Sequence, residues 1–320
     1  MRKNKHKKLY TIVILFAIAT FIIHLINRFI VASATFKDML DILNRKYFKS
    51  RFGNIYYTKR GHGSPVLLIH DALPGSSGYE WNKVDKLIAT EHTVYTIDLL
   101  GYGRSDKSGM TYTNYMYVQL IKSFINNVIH EKPDIIVSGY SSPFVIMAGS
   151  EAKNLFNKVI LLNPPSPATF NQEITKKDQI FDYLLKLPIF GTLLYHMIVS
   201  RETSEKFFKE KLFYNYTETD KDVLDAYHEA AHRGGYYAKY LASSLISKKL
   251  NTNLENGIKS LTNEVIIIEG EYETSKDPII NTYTTLNPAI SVESVPNSKH
   301  YPQIETPDKF MELMGKHLSK

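Results

Sequence analysis

Apolar residues fall along this chain in three regimes. The first is one uninterrupted run, LYTIVILFAIATFIIHLI, from Leu9 to Ile26. The second is a series of short runs: NIYYT (54–58), PVLLIH (65–70), TVYTID (93–98), DIIVSG (134–139), KVILLN (158–163), EVIIIEG (264–270) and a weaker AISVESV (289–295). Helix-length segments lie between them at about 79–90, 114–130, 142–154 and 306–318. Short, buried-looking strands alternating with helices predict a mostly parallel central sheet with helices on both faces, an α/β fold. The third regime is the hundred or so residues between Asn163 and Glu264, which include IFDYLLKLPIFGTLLYHMIV and DVLDAYHEAAHRGGYYAKYLASSLI. That interval is too long for a crossover and too patterned for a loop, so it predicts a helical cap over the sheet.

The first run changes the picture from a wholly globular protein to an anchored one. As a helix, its 18 residues span roughly 27 Å, close to the hydrocarbon thickness of a bilayer. Arg2, Lys3, Lys5, Lys7 and Lys8 precede it, and such a cluster holds the N-terminus in the cytoplasm and sends the rest across. The expectation is a single-pass membrane protein with an extracytoplasmic catalytic domain. A cleaved signal peptide is the competing reading, since Ala32-Ser33-Ala34 has the A-x-A form, but the run is long and Arg28 is awkward there. A buried core helix fits poorly with so basic a flank. The organisation expected is a basic tail (1–8), a transmembrane anchor (9–30), an amphipathic connector (31–52), a core made of 53–164 and 257–320, and the cap (165–256).

Composition and charge then exclude several classes. The 320 residues are 43% apolar, enough for one sizeable core. With no cysteine, disulfides, thiolate catalysis and cysteine-based zinc sites are excluded. The net charge of +7 is concentrated at the start: taking the six basic residues of positions 1–34 from the 39 leaves 33 against 32 acidic ones. The body is nearly neutral, which gives no basic footprint for nucleic acid.

Ligands of an open α/β sheet bind beyond the carboxyl ends of its strands, and there the candidate chemistry collects. After DIIVS comes Gly139-Tyr140-Ser141-Ser142-Pro143, which resembles the G-x-S-x-G nucleophile elbow of the α/β-hydrolase family. After PVLLI comes His70-Asp71-Ala72, similar to that family's H-G-x oxyanion loop. Asp98-Leu99-Leu100-Gly101-Tyr102-Gly103-Arg104-Ser105 resembles its D-x-x-G-x-G-x-S turn, which shapes one rim of the site. Glu273, in Gly270-Glu271-Tyr272-Glu273, takes the place of the triad acid, with Asp277 as the alternative. Lys299-His300-Tyr301-Pro302 resembles the histidine loop. The resemblance covers roughly residues 53 to 320, weakly across the cap.

It implies an α/β-hydrolase fold and a cofactor-independent Ser-His-acid mechanism. Ser141 would be the nucleophile and His300 its base, with Glu273 fixing the imidazole tautomer. The N–H groups of Ser142 and Ala72 would hold the oxyanion. His70 packs beneath the oxyanion loop as a structural residue. The expected substrate is an apolar or lipid-like carboxylic ester, reached from the bilayer. Aspartate-nucleophile relatives, the dehalogenases and epoxide hydrolases, are disfavoured because Ser141 occupies the elbow. Haloperoxidase-like and acyltransferase chemistry fit the same triad. Three departures keep a catalytically silent binding or scaffold protein as the alternative: Pro143 where a glycine is usual, Asp71 beside the oxyanion donor, and Glu in place of Asp at 273.

One motif points elsewhere. HEAAHRGG (228–235) places His228 and His232 on one helix face with Glu229 between them, as in a zinc metalloprotease. The third ligand of the longer form is missing, because Ala238 stands where a histidine is needed. The expectation is an amphipathic cap helix ended by Gly234-Gly235, and no metal.

Overall fold

The computed structural model describes residues 2–40, 45–216, 221–274 and 276–318, with side chains from residue 6 onward. Part of the connector (41–44) and the side chains of Arg2, Lys3 and Lys5 lie outside the described residues. The strands are β1 (Lys46–Ser50), β2 (Gly53–Arg60), β3 (Pro65–Ile69), β4 (Thr93–Ile97), β5 (Asp134–Ser138), β6 (Lys158–Leu162), β7 (Glu264–Gly270) and β8 (Ser291–Val295). They form one sheet in the order β1-β2-β4-β3-β5-β6-β7-β8. The pairs β1–β2 and β2–β4 are antiparallel and all others are parallel.

The strand sequences explain why the sheet sits in the middle. Alternate residues point to opposite faces, and here both faces are covered. Leu67, Ile69, Tyr95, Ile97, Ile135, Val137, Val159 and Leu161 pack into one buried cluster. Their neighbours Val66, Leu68, Val94, Ile136, Ile160 and Leu162 pack into another, against the C-terminal helix Pro307–His317. Every residue of β5 is buried. This is the pattern of a central parallel strand, which reads as a continuous hydrophobic run.

Two local expectations are corrected. The stretch 79–90 is not one helix but a short 3₁₀ turn, Gly78–Trp81, and one α-turn, Asp85–Ile88. Within the connector, Lys46–Ser50 is an edge strand registered against Gly53–Tyr57. Its exposed, lysine-bearing face suits the sheet edge, where charge discourages further pairing.

Between β6 and β7 the chain forms the helices Lys176–Lys186, Phe190–Ile198, Arg201–Phe207, Lys221–His232, Ala238–Ile246 and Leu254–Ser260, with shorter turns among them. Ahead of everything stands one helix, Arg2–Ala34. Its His6–Ala34 portion has a mean hydropathy of 2.5 and is long and apolar enough to cross a membrane. Its middle and C-terminal parts touch the cap: Phe16 stacks on Phe190 with ring centroids 6.0 Å apart, and Asn27 Nδ2 donates to Ile189 O at 2.9 Å.

Candidate active site

β5 ends at Ser138 and the helix Ser142–Glu151 begins four residues later, so the chain reverses within Gly139–Ser141. In such an elbow the residue at the tip carries the strained backbone. That residue is Gly139, with φ of 48°, a conformation glycine adopts without steric cost. Ser141 instead is the N-cap residue just before the helix, at φ −84° and ψ −15°. Its Oγ is buried and has no hydrogen-bond partner. The elbow is therefore centred two residues earlier than the string Gly139-Tyr140-Ser141 suggests. The structure does not bring Ser141 to His300.

The oxyanion donors shift with it. Ser142 N–H, expected as an oxyanion donor, is used inside the turn, donating to Gly139 O. Tyr140 N–H points at the site, where it meets Ala72 N–H. Both donate, each at 2.7 Å, to the same atom: Oδ1 of Asp71. The second oxygen of that carboxylate, Oδ2, lies 2.9 Å from His300 Nε2 and accepts from Tyr301 Oη at 3.3 Å. Asp71 thus holds one carboxylate oxygen between two backbone N–H groups and the other against the histidine. Gly139 leaves room for it, since a Cβ there would stand 2.4–2.5 Å from the Asp71 carboxyl atoms.

His300 and Glu273 do meet. His300 Nδ1 is 2.9 Å from Glu273 Oε2, while Glu273 Oε1 accepts from Thr274 N. Asp277 is exposed on the helix Lys276–Leu286 and makes no such contact. The histidine loop and the acid turn are tied together by Asn163, at the end of β6. Its Nδ2 donates to the carbonyls of Lys299 and His300, and its Oδ1 accepts from Gly270 N. Asn163 was missed in the sequence; a lone Asn after a strand gives no signal of a bridge to two distant loops.

Beneath Asp71 lies a second layer. Glu80 Oε2 accepts from Asp71 N at 2.9 Å, and its Oε1 accepts from Gln303 Nε2 at 2.8 Å. Burial, together with the charge of Asp71, pushes the Glu80 carboxyl up to about 8. His70 accepts from Leu99 N at Nε2, so its Nδ1–H is left to donate to Asp71 O at 2.6 Å. Burial lowers its pKa, and it acts as a neutral strut between the loops after β3 and β4. The β4 turn is held by Asp98, which accepts from Gly78 N, Arg104 N and the Arg104 guanidinium. Its burial is outweighed by Arg104, and its pKa falls to about 2. Gly101 (φ 88°) and Gly103 (φ 42°) let this turn close; a Cβ on Gly103 would come within 2.3 Å of Asp98 Oδ2.

Electrostatics decide the state of His300. Burial alone would lower its pKa, but hydrogen bonds to Asp71 and Glu273 override this and raise it to about 10. At neutral pH it is an imidazolium clamped between two carboxylates. A histidine whose folded pKa is raised stabilises the fold fully below its unfolded value, near 6.5, and that contribution is lost as pH rises through about 10. Stability should therefore fall between pH 7 and 10 by roughly 3 kcal/mol from this group. Denaturant titrations over that range should show the loss, and His300→Gln should flatten it; an equal slope in both proteins would contradict the clamp.

The HEAAH motif does other work. Glu229 is fully buried and accepts from Met39 N at 2.6 Å, Leu40 N at 3.4 Å and Arg233 Nε at 2.8 Å. It fastens the connector to the cap. His232 Nδ1 is bonded to His228 O. Among the described residues no group of three or more His, Asp or Glu is placed to hold a metal ion.

Comparison with known proteins agrees with this architecture. Residues 66–313 match the alpha/beta hydrolase family. The 2-hydroxy-6-oxo-6-(2'-aminophenyl)hexa-2,4-dienoic acid hydrolase of Metapseudomonas resinovorans is 33% identical over 70 residues, 22% of this chain and 24% of that one. The cis-3-alkyl-4-alkyloxetan-2-one decarboxylase of Shewanella oneidensis is 26% identical over 163 residues, 49% of this chain and 50% of that one. The chain spans about a quarter to a half of the length of these curated relatives. Among solved structures, a membrane phospholipase A superposes with a TM-score of 0.67 at 15% identity, covering 97% of each chain, a likeness of fold. The family match runs from β3 into the last helix, so strand order, strand-end residues and sequence agree: the chain belongs to the alpha/beta hydrolase family, among hydrolase and esterase relatives.

Proposed function

We propose that this protein is a membrane-anchored hydrolase whose nucleophile is the Asp71 carboxylate. The observation that carries the reading is the placement of that carboxylate, with Oδ1 between Tyr140 N–H and Ala72 N–H and Oδ2 against His300 Nε2. A carboxylate held by one oxygen in an oxyanion hole presents the other for attack on carbon. In the first step Oδ2 displaces a leaving group from an electrophilic carbon, giving an Asp71 ester and the leaving anion. The ester is neutral, so His300 loses one of the two charges that hold its proton, and the imidazolium gives that proton up, to a departing alkoxide or carboxylate or, where a halide leaves, to solvent. In the second step His300 Nε2 takes a proton from water as it attacks Asp71 Cγ. The oxyanion forms on Oδ1, between the two donors already in place. Collapse releases the alcohol and regenerates the carboxylate.

The substrate class follows from this step: an apolar molecule with a strained or activated carbon–oxygen or carbon–halogen bond. One relative is named for acting on an oxetan-2-one, a strained four-membered lactone. A serine route through Ser141 is less well supported, because its Oγ is buried without a partner and His300 Nε2 is committed to Asp71. Asp71 is fully buried, so the cap must lift for substrate to enter.

The anchor is supported by the length and hydropathy of His6–Ala34 and by the exposure of its apolar side chains. Asn27, bonded to the cap, gives the helix a role that a removed signal peptide would not have. The basic tail supports a cytoplasmic N-terminus and a hydrolase domain outside.

Single turnover in H₂¹⁸O separates the mechanisms, using a 4-alkyl β-lactone, a terminal epoxide and a 1-bromoalkane as probes. Attack by Asp71 puts the label into the Asp71 carboxylate, because water attacks Cγ. Label found in the product alone, or turnover abolished by Ser141→Ala, would refute the reading. No turnover of any probe by folded protein would favour a binding role.

A further inference from the structure

The last turns of the N-terminal helix and the cap enclose a second cavity, apart from the Asp71 site. It is an apolar groove of about 760 Å³ between the His24–Ala32 part of that helix and the cap helices Phe190–Ile198 and Ala238–Ile246. This is within the usual range for a small-molecule site. Its polar groups are few and incomplete. His196 is 3% exposed, and neither ring nitrogen has a hydrogen-bond partner. Asn27 spends its Nδ2 on Ile189 O, while its Oδ1 is buried and unpartnered. Lys239 is 2% exposed; its Nζ donates to Leu187 O at 2.7 Å, and among the described residues no carboxylate pairs with it. A buried cation without a counter-charge costs several kcal/mol, and burial accordingly lowers the Lys239 pKa. Arg28 also lines the groove, and no acidic residue does. The cap helices that contribute to it leave Ile180, Tyr183, Phe190 and Met197 exposed.

We propose that this groove is a lipid site, taking one acyl chain of an anionic phospholipid from the leaflet at the C-terminal end of the N-terminal helix. The headgroup phosphate supplies the missing counter-charge to Lys239 and Arg28. An unpartnered His196 N–H donates to a glycerol ester carbonyl at the mouth, and Asn27 Oδ1 accepts from a headgroup hydroxyl. Charge complementarity and position select this occupant: an apolar cleft lined by three cations and no anions, of which, among the described residues, Lys186 alone pairs with a carboxylate, that of Asp182, open beside a helix of membrane-spanning length. The inference rests on the membrane placement proposed above and is independent of the Asp71 chemistry.

The test is native mass spectrometry of the full-length protein, extracted in neutral detergent from bilayers of equal parts phosphatidylglycerol and phosphatidylcholine. Phosphatidylglycerol should be retained about fivefold over its share of the bilayer, the scale expected for a desolvated basic residue at a lipid phosphate. Lys239→Gln should return retention to that share, and Lys206→Gln, on the exposed surface, should not. Val31→Trp, which fills the groove and leaves its charges, should abolish retention of any lipid; it carries the test if Lys239→Gln fails to fold, as judged by circular dichroism. Lipid in bulk proportion on the wild type, equal retention in Val31→Trp, or retention of a free fatty acid instead would overturn the proposal. Protein found wholly outside the membrane would overturn both it and the anchor, and none of these outcomes bears on turnover at Asp71.

Discussion

Replacing Gly139 by Ser and Asp71 by Gly in one chain is expected to turn a protein that fluorophosphonate probes ignore into one labelled stoichiometrically at position 139. Each half of the double variant is needed for a separate reason. Gly139 sits at the tip of the elbow, where the strained backbone belongs, but its missing Cβ is replaced in space by the Asp71 carboxyl group, 2.4–2.5 Å from where that atom would be. Gly139→Ser alone drives a side chain into that carboxylate and adds left-handed strain of about 1–2 kcal/mol. It should cost stability and give no labelling. Asp71→Gly alone empties the oxyanion hole and frees His300 Nε2, leaving Glu273 to hold the imidazole, but supplies no hydroxyl. Together they leave a serine at the tip, two free N–H donors and a base whose raised pKa has lost one of its causes.

The wild type should remain unlabelled, and Ser141→Ala should change nothing. Wild-type labelling that disappears in Ser141→Ala would mean that the serine at the helix N-cap is the reacting group after all. Failure of the folded double variant to label would show that Gly139 is not the nucleophile position.

The architecture was legible because its signals are local. Strand runs such as DIIVS and KVILL carry their own burial pattern, and each motif falls at the strand end where it was expected. The helix Lys276–Leu286 was not read, since Pro278 near its start and the three threonines Thr282, Thr284 and Thr285 obscure the period. The centre of the elbow was not legible for a different reason. Gly139-Tyr140-Ser141 fits the template as a string, but the tip is decided by which residue takes a positive φ, and that is a backbone property. Two departures held the clue: Pro143 in place of a glycine, and Asp71 in place of another. A carboxylate in the oxyanion loop must go somewhere, and a glycine after β5 leaves the space. The pairing itself joins residues 229 apart in sequence, and no local pattern reports such a contact. Glu80 and Asn163 escaped notice on the same ground.

His300→Gln should arrest the reaction after its first chemical step. Glutamine keeps a polar side chain at that position but cannot take a proton from water. With the 1-bromoalkane, whose halide leaves without a proton, displacement by Asp71 Oδ2 needs neither base nor acid, so one equivalent of that probe should still be consumed. Hydrolysis of the resulting ester should slow by about 10³-fold, in the range contributed by a positioned general base. Intact-mass spectra should then show the alkyl group retained on the protein, and peptide mapping should place it on Asp71. Asp71→Ala should show neither adduct nor turnover. Glu273→Gln should be milder than His300→Gln, because it loosens the imidazole and removes one stabilising charge while leaving the base in place. The arrested ester is the decisive species, since a serine mechanism, or general-base catalysis without a covalent step, forms no bond to Asp71. Full turnover by His300→Gln, or an adduct mapped to any other residue, would remove Asp71 from the role of nucleophile.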